Sequence, residues 1–412
     1  MLEVAAVCLV ITALLAYLNA RYIGLPTTIG TMAAALALSL ALIALDPLGI
    51  GRSVRQYEEN LLRSIDFSSV LMQGMLSMLL FAGALHVDLE QLKVHRWSVA
   101  GLAVLATTLS TLAVGFGLWA ALPLLGLSLP LIHCLLFGAL ISPTDPIAVM
   151  GILKSARAPK ELELVIAGES LFNDGVGVVI FSLLLGMLAS GIAPTVHQAL
   201  LLLVREAGGG ILFGLVLGYG TFRLLKSVDD YEVEVMLTLA AVTGGYLLAS
   251  KLHVSGPLAM VVVGLMIGNQ GRALAMSDTT RRYLDMFWEL LDQILNAVLF
   301  VLMGMEVLRV TFGVHELVAA ALAVAVTLLA RALVVGLPAA ALPRVFNLPR
   351  GSWKVLIWAG LRGGISVALA LSLPAGPERD TVVALTYGVV VFSIFVQGLS
   401  IGAVTRRALA RR

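Results

Sequence analysis

Of 412 residues, 59% are hydrophobic and only 13% charged, and the mean hydropathy is +0.99. A soluble domain carries about 25% charged residues, so no water-soluble packing hides this much apolar surface, and the chain reads as an all-α polytopic membrane protein. The net charge of +2 says nothing about nucleic acid, because the basic residues are spread over many short loops, and no nucleic-acid partner is expected.

Apolar runs of about 20 residues recur from end to end and predict about thirteen spans. They cover residues 3–20, 25–45, 68–88, 98–122, 131–152, 161–188, 198–225, 232–252, 256–270, 284–311, 315–345, 353–374 and 380–405. The first run follows Met1-Leu2-Glu3 with no positive n-region and no cleavage site after it, so it reads as a span rather than a signal peptide. Cys8 and Cys134 both fall in apolar runs, which speaks against a disulfide framework. The longest loop, Asp46 to Asp66, mixes both charge signs and is a candidate short surface helix.

Loop charges check this layout. With an odd number of spans the termini lie on opposite sides. A cytoplasmic C-terminus puts Lys154, Arg157, Lys160, Arg344, Arg350, Lys354 and the Arg406, Arg407, Arg411, Arg412 tail on the cytoplasmic side, with other basic loops. The outer side, with the N-terminus, holds Arg52, Arg55, Arg63, Lys251, Arg309 and Arg379. Basic residues then favour the cytoplasmic side roughly three to one, as the positive-inside rule requires. The expected location is the inner cell membrane.

The same odd count permits two inverted six-helix repeats, residues 1–190 and 230–412, around a linker helix at 198–225. Spans 5 and 12 are then counterparts, and both carry helix breakers near the middle: Pro143 and Pro146 in one, Gly363-Gly364 in the other. Two crossing interrupted helices in matching positions are a sequence pointer to a transporter binding site.

Polar residues inside spans point to the same place. A charge at bilayer depth costs roughly 2.5–3.5 kcal/mol, so intramembrane carboxylates are functional candidates by default. Asp174, in Glu169-Ser170-Leu171-Phe172-Asn173-Asp174-Gly175, is the leading candidate for a cation-binding group that also takes up a proton. The plainer alternative is a paired or protonated Asp that only holds helices together. Asp145, in Ser142-Pro143-Thr144-Asp145-Pro146, is either a second cation-site carboxylate or a partner for frayed backbone. Thr144 and Ser170 add hydroxyl oxygens of the kind that Na⁺ takes. Asn173 is a neutral neighbour, suited to orient Asp174 or to bond the backbone of span 5. With one titratable group fewer there, exchange of one cation for one proton is the suggested stoichiometry.

Glu169, five residues before Asp174, projects to the opposite side of the helix and needs a cationic partner. Arg362 is the first choice and Arg331 the competing one. Glu289 and Asp292 are read either as the lining of an access funnel or as a solvated helix end. Asn296 is deeper and ambiguous. No Gly-rich nucleotide loop, nucleophile–His pattern or zinc-ligand spacing stands out, so neither an enzyme nor a bound cofactor is expected.

At these residues the chain resembles the monovalent cation:proton antiporters of the NhaP type. The motifs are Leu80-Phe81-Ala82-Gly83-Ala84-Leu85-His86, Ser142-Pro143-Thr144-Asp145-Pro146, Gly168-Glu169-Ser170-Leu171-Phe172-Asn173-Asp174-Gly175, Val254-Ser255-Gly256-Pro257-Leu258-Ala259, Gly264-Leu265-Met266-Ile267-Gly268-Asn269 and Gly360-Leu361-Arg362-Gly363-Gly364. The resemblance implies thirteen helices, a homodimer, and a mobile six-helix core beside a dimerisation domain. It implies that Asp174 carries ion and proton alternately, that Thr144 and Ser170 help coordinate the ion, and that Glu169 and Arg362 form a supporting pair. Several relatives have Glu where this chain has Ala82, so that ligand is missing here. The expected activity is exchange of Na⁺ or Li⁺ for H⁺ by alternating access. K⁺/H⁺ exchange at the same residues is the nearest rival, with a cation channel or a sodium-coupled symporter further off.

Overall fold

The computed structural model describes residues 2–45, 74–145, 147–156, 158–191, 196–306, 314–342, 346, 348–349 and 351–409. Pro146 and the loop from Asp46 to Asp66, with its candidate surface helix, lie outside them. Among the described residues every regular element is helical. Nine helices there are long and apolar enough to cross a bilayer: Ala6–Ile23, Arg96–Leu125, Lys160–Ser190, Leu201–Leu225, Tyr231–Lys251, Gly256–Leu274, Asp278–Met305, His315–Ala341 and Pro377–Leu409. The remaining predicted spans coincide with shorter helices or broken ones.

Helices α1 (Leu2–Leu18), α2 (Thr27–Leu45) and α3 (Leu76–Leu85) open the chain. The helical span that begins at Arg96–Ala100 runs on through α4 (Thr107–Ala121), which leads to α5 (Leu131–Ile141) and α6 (Ile147–Ser155), the two halves of predicted span 5. The long α7 (Lys160–Ser190) follows, then α8 (Gly209–Leu225), α9 (Tyr231–Lys251), α10 (Gly256–Met266) and α11 (Asp278–Glu306). Helix α11 starts six residues before its predicted boundary, because Asp278, Arg281 and Arg282 form a polar first turn that hydropathy alone leaves out. The chain ends with α12 (Val314–Arg331), the half-helices α13 (Ser352–Trp358) and α14 (Gly364–Leu371), and α15 (Pro377–Phe392), which continues to Leu409.

Burial divides the side chains in the sense a bilayer demands. Large apolar residues stand exposed on the outer faces, among them Leu14, Phe116, Trp119, Leu212, Val216, Leu329 and Leu333. Glu169, Asn173, Arg331 and Arg362 are buried inside. Lipid solvates the first group, and only protein or water can solvate the second.

Several of the quoted motifs fasten helix ends. Ser255 caps α10, accepting from Leu258 N at 3.3 Å, while its own N–H donates to Glu206 O at 3.0 Å. Asn269 donates to Val87 O and accepts from Leu89 N, both at 2.9 Å, which ties the far end of the α10 span to the turn after α3. In that turn Asp88 caps the short helix Leu89–Val94, and the bond from Gln91 N–H is the main reason its carboxyl sits below the usual range.

Candidate cation site at the crossing of two broken helices

Helix α5 stops at Ser142 because the following Pro143 has no N–H to continue the ladder. Helix α13 stops at Trp358, and the chain runs non-helical to Gly363 before α14 begins. The two breaks meet: Asp145 N–H donates to Leu361 O at 2.8 Å, one interruption bonding the other. Non-helical backbone at this depth persists only when protein or a wet cavity satisfies it.

Arginines complete the satisfaction. Arg362, 3% exposed, donates through Nη1 to the carbonyls of Ser142 and Pro143, the latter at 2.6 Å. Arg331 pairs with Glu169 bidentately at 2.5 and 3.1 Å, and donates to Leu356 O in α13 at 3.3 Å from Nε and 3.1 Å from Nη2. The partner of Glu169 is therefore Arg331, and the first sequence choice, Arg362, is corrected. The reason is geometric: Arg362 sits on the break itself, where open carbonyls are nearest. Both guanidiniums also lie at C-terminal ends of half-helices, where the helix dipole favours a cation.

Two residues in this arrangement escaped sequence reading. Ser393 Oγ accepts from Arg362 N–H at 2.8 Å and lies 3.0 Å from Gln397 Oε1, while Gln397 Nε2 donates to Trp358 O at 3.1 Å. They satisfy the second break much as Arg362 satisfies the first. Their signal was faint: two polar residues four apart in an apolar span. Both lie in a π-helical turn, Ser393–Gly398, a device that recurs at functional sites.

Helix α7 brings the other half of the site. Asn173 Oδ1 accepts from Thr144 N–H at 3.3 Å and its Nδ2 donates to Thr144 Oγ1 at 2.9 Å, so Asn173 fixes the first break rather than Asp174. Thr144 Oγ1 lies 2.9 Å from Ser170 Oγ. Gly177 makes room for this contact, since a Cβ there would run into the Pro143 ring. Glu169 and Asp174 point opposite ways, as their spacing predicts: one to Arg331, the other to a cavity of ≈ 570 Å³.

That cavity is lined by Asp174, Asp145 and Thr144, by Ala82 on α3, and by Glu289, Asp292 and Asn296 on α11. Ser170 stands behind Thr144 instead of on the wall. Asp174 is 8% exposed, and among the described residues its carboxylate takes no hydrogen bond or ion pair. A buried carboxylate with water on one side and no protein partner is suited to hold a cation or a proton. The Ala82 methyl offers no third ligand from α3.

Comparison with known proteins fits this geometry. The family described as sodium/hydrogen exchanger, transmembrane, matches residues 10–407. The chain is 54% identical to the Na⁺/H⁺ antiporter NhaP of Pseudomonas aeruginosa, over 100% of this chain and 97% of that one. It is 34% identical to the Na⁺/H⁺ antiporter NhaH of Halobacillus dabanensis, over 84% and 85%. Among solved structures, the sodium proton antiporter MjNhaP1 of Methanocaldococcus jannaschii at pH 8 shares the fold, with a TM-score of 0.76, 20% identity and 98% of each chain covered.

Proposed function

The chain belongs to the transmembrane sodium/hydrogen exchanger family, and from that premise we propose that it exchanges Na⁺ or Li⁺ for H⁺ by alternating access, the two competing for Asp174. The observation that carries this reading is the Asp174 carboxylate, unpartnered among the described residues and turned into a cavity that it shares with Asp145 and Thr144. A dehydrating cation needs several oxygens, and these side chains with the freed carbonyls of the break are the available ones. Asp174 and Asp145 bind; Thr144 supplies an oxygen, held in place by Ser170 and Asn173. Arg362, Arg331 and Glu169 hold the breaks and touch no ion. No resident cofactor takes part.

Asn173 being neutral, each loaded state of Asp174 is compensated by one cation or one proton, which makes the exchange electroneutral at 1:1. Lys154 and Glu289 stand exposed where they line the cavity. Lys154 belongs to the loops assigned to the cytoplasm, so this is the inward-facing state. The remaining elements of the reading are a homodimer in the inner membrane, N-terminus outside, with inverted repeats at 1–190 and 230–412 about the 198–225 linker.

The test is proton flux in proteoliposomes offered Na⁺, Li⁺ and K⁺ in turn. Na⁺ and Li⁺ should collapse a preset proton gradient, and the rate should fall at low pH, where protons hold the site, and at high pH, where they are scarce. Collapse by K⁺ alone would replace Na⁺ with K⁺ as the substrate; current without proton movement would remove exchange altogether.

The crossing predicts a second result. A methyl at Gly363 would approach Asp145 Cβ and Cγ to 2.8 Å, although the φ of −125° there suits any residue. Gly363→Ala should therefore fold but displace Asp145, raising half-saturating Na⁺ about tenfold, equivalent to about 1.4 kcal/mol. An unchanged value in the same flux assay would take Asp145 out of the ion site.

A further inference from the structure

We propose that Asp292 of α11 is a further cation-binding residue, which holds the incoming ion partway down the cavity before Asp145 and Asp174 receive it. This rests on the exchange reading above and assigns a role to a wall of the cavity that the reading leaves unused.

Glu289, Asp292 and Asn296 are spaced by three and four, so they share one face of α11, and all three line the cavity. Their burial is graded: Glu289 is exposed, Asp292 half-buried and Asn296 1% exposed. At 1.5 Å per residue, Asp292 lies about 4–5 Å further along the axis than Glu289, and Asn296 about 6 Å further again. Beyond them Leu299 closes the stripe against Gly364, at the start of α14. Polar side chains thus descend from the mouth to the crossing of the broken helices and end there.

Among the described residues Asp292 forms no ion pair. Asn296 Nδ2 donates to the main-chain carbonyl of Asp292 at 2.9 Å, and its side chain also bonds the Asp292 carboxylate, steadying it on the cavity wall. Asp292 and Asp145 line the same cavity, so a cation between them would meet both charges.

The balance of charge in the cavity gives the second, independent argument. Asp174, nine-tenths buried and without a hydrogen-bond partner among the described residues, already faces this space. Glu289, Asp292 and Asp145 face it too, against Lys154 at the mouth and a His86 whose Nδ1 lies 2.8 Å from Ala82 O. Arg362, its Nη1 held by backbone carbonyls, adds a second positive charge, and the four carboxylates still outnumber the two. Carboxylates in such excess, around water, attract mobile cations, and a cleft lined by one sign of charge raises their local concentration. One ion at Asp174 leaves the outer carboxylates uncompensated, and Asp292 is the outer carboxylate closest to the crossing.

The test compares wild type, Asp292→Asn and Asp292→Glu in proteoliposomes, reading proton flux against Na⁺ concentration. Asp292→Asn should raise half-saturating Na⁺ about three- to tenfold, with a smaller change in maximal rate, and Asp292→Glu should restore it. Because Asp292 is partly exposed in the cavity, raising ionic strength with choline chloride should shrink the difference, the Debye length being about 10 Å at 0.1 M. An unchanged half-saturation, or a lost maximal rate at unchanged half-saturation, overturns the proposal. Should Asp292→Asn fail to fold, judged by thermal unfolding in detergent, Asp292→Ser carries the same comparison. Wild type separates the two claims: no Na⁺-driven flux there brings down the exchange reading and this proposal together. Normal wild-type flux with an indifferent Asp292→Asn removes only the role of Asp292.

Discussion

Asp174→Asn should abolish Na⁺-dependent proton movement, leaving proteoliposomes at their passive background, while the purified protein stays folded. Asn keeps the size and one oxygen of Asp but carries neither the charge that draws a cation nor a carboxylate that takes up a proton. Nothing in the fold depends on that carboxylate, since among the described residues it makes no hydrogen bond or ion pair. A buried charge is a burden of roughly 2.5–3.5 kcal/mol at bilayer depth, so removing it should leave the thermal midpoint unchanged or raised. Loss of transport at undiminished stability separates a carrier residue from a structural one. Retained exchange would sink the assignment of Asp174.

Glu169 and Arg331 should behave in the opposite manner, and unequally. Arg331→Met strands a carboxylate that is 1% exposed, and breaking one partner of a buried pair costs about 3–5 kcal/mol. It also strips Leu356 O of the donors from Nε and Nη2. An unsatisfied buried acceptor adds about 1–3 kcal/mol. Glu169→Gln keeps Arg331 on Leu356 and retains an acceptor, so it should be the milder change. The double variant Glu169→Gln/Arg331→Met should recover much of the loss of Arg331→Met alone but not the Leu356 share. Thermal unfolding of the four proteins in one detergent forms the double-mutant cycle. Additive effects would mean that the pair is not coupled, against the bidentate geometry.

What could be seen in the sequence follows from what a linear pattern encodes. Asp174, Asp145 and the breaks were legible because hydropathy marks a polar residue or a proline in an apolar run without any knowledge of the fold. The opposite directions of Glu169 and Asp174 were legible from helical periodicity. The choice between Arg331 and Arg362 was not, because it depends on which guanidinium the packing of α12 and α13 brings to α7. Arg362 is the first choice on sequence only because the open carbonyls of Ser142 and Pro143 that engage it are invisible there. Ser393 and Gln397 were missed for a related reason: their partners are backbone groups, freed by a break in another helix. The cavity face of Asp292 was an even choice on sequence, since a solvated helix end and a wet wall share the same composition.

A membrane that stores a proton gradient tolerates no short circuit, and the crossing of the two breaks is where one would form. Extended backbone at both interruptions offers a line of bare peptide groups across the midplane, along which water could thread. The hydrogen bond from Asp145 N–H to Leu361 O and the grip of Arg362 on Ser142 and Pro143 take these groups out of water's reach. Peptide groups left bare in lipid cost several kcal/mol each, so the crossing has every reason to stay shut beside the carboxylates of the cavity. Insulation and the proposed ion binding thus fall to one residue: the amide of Asp145 seals, and its carboxylate is the one we propose serves the cargo.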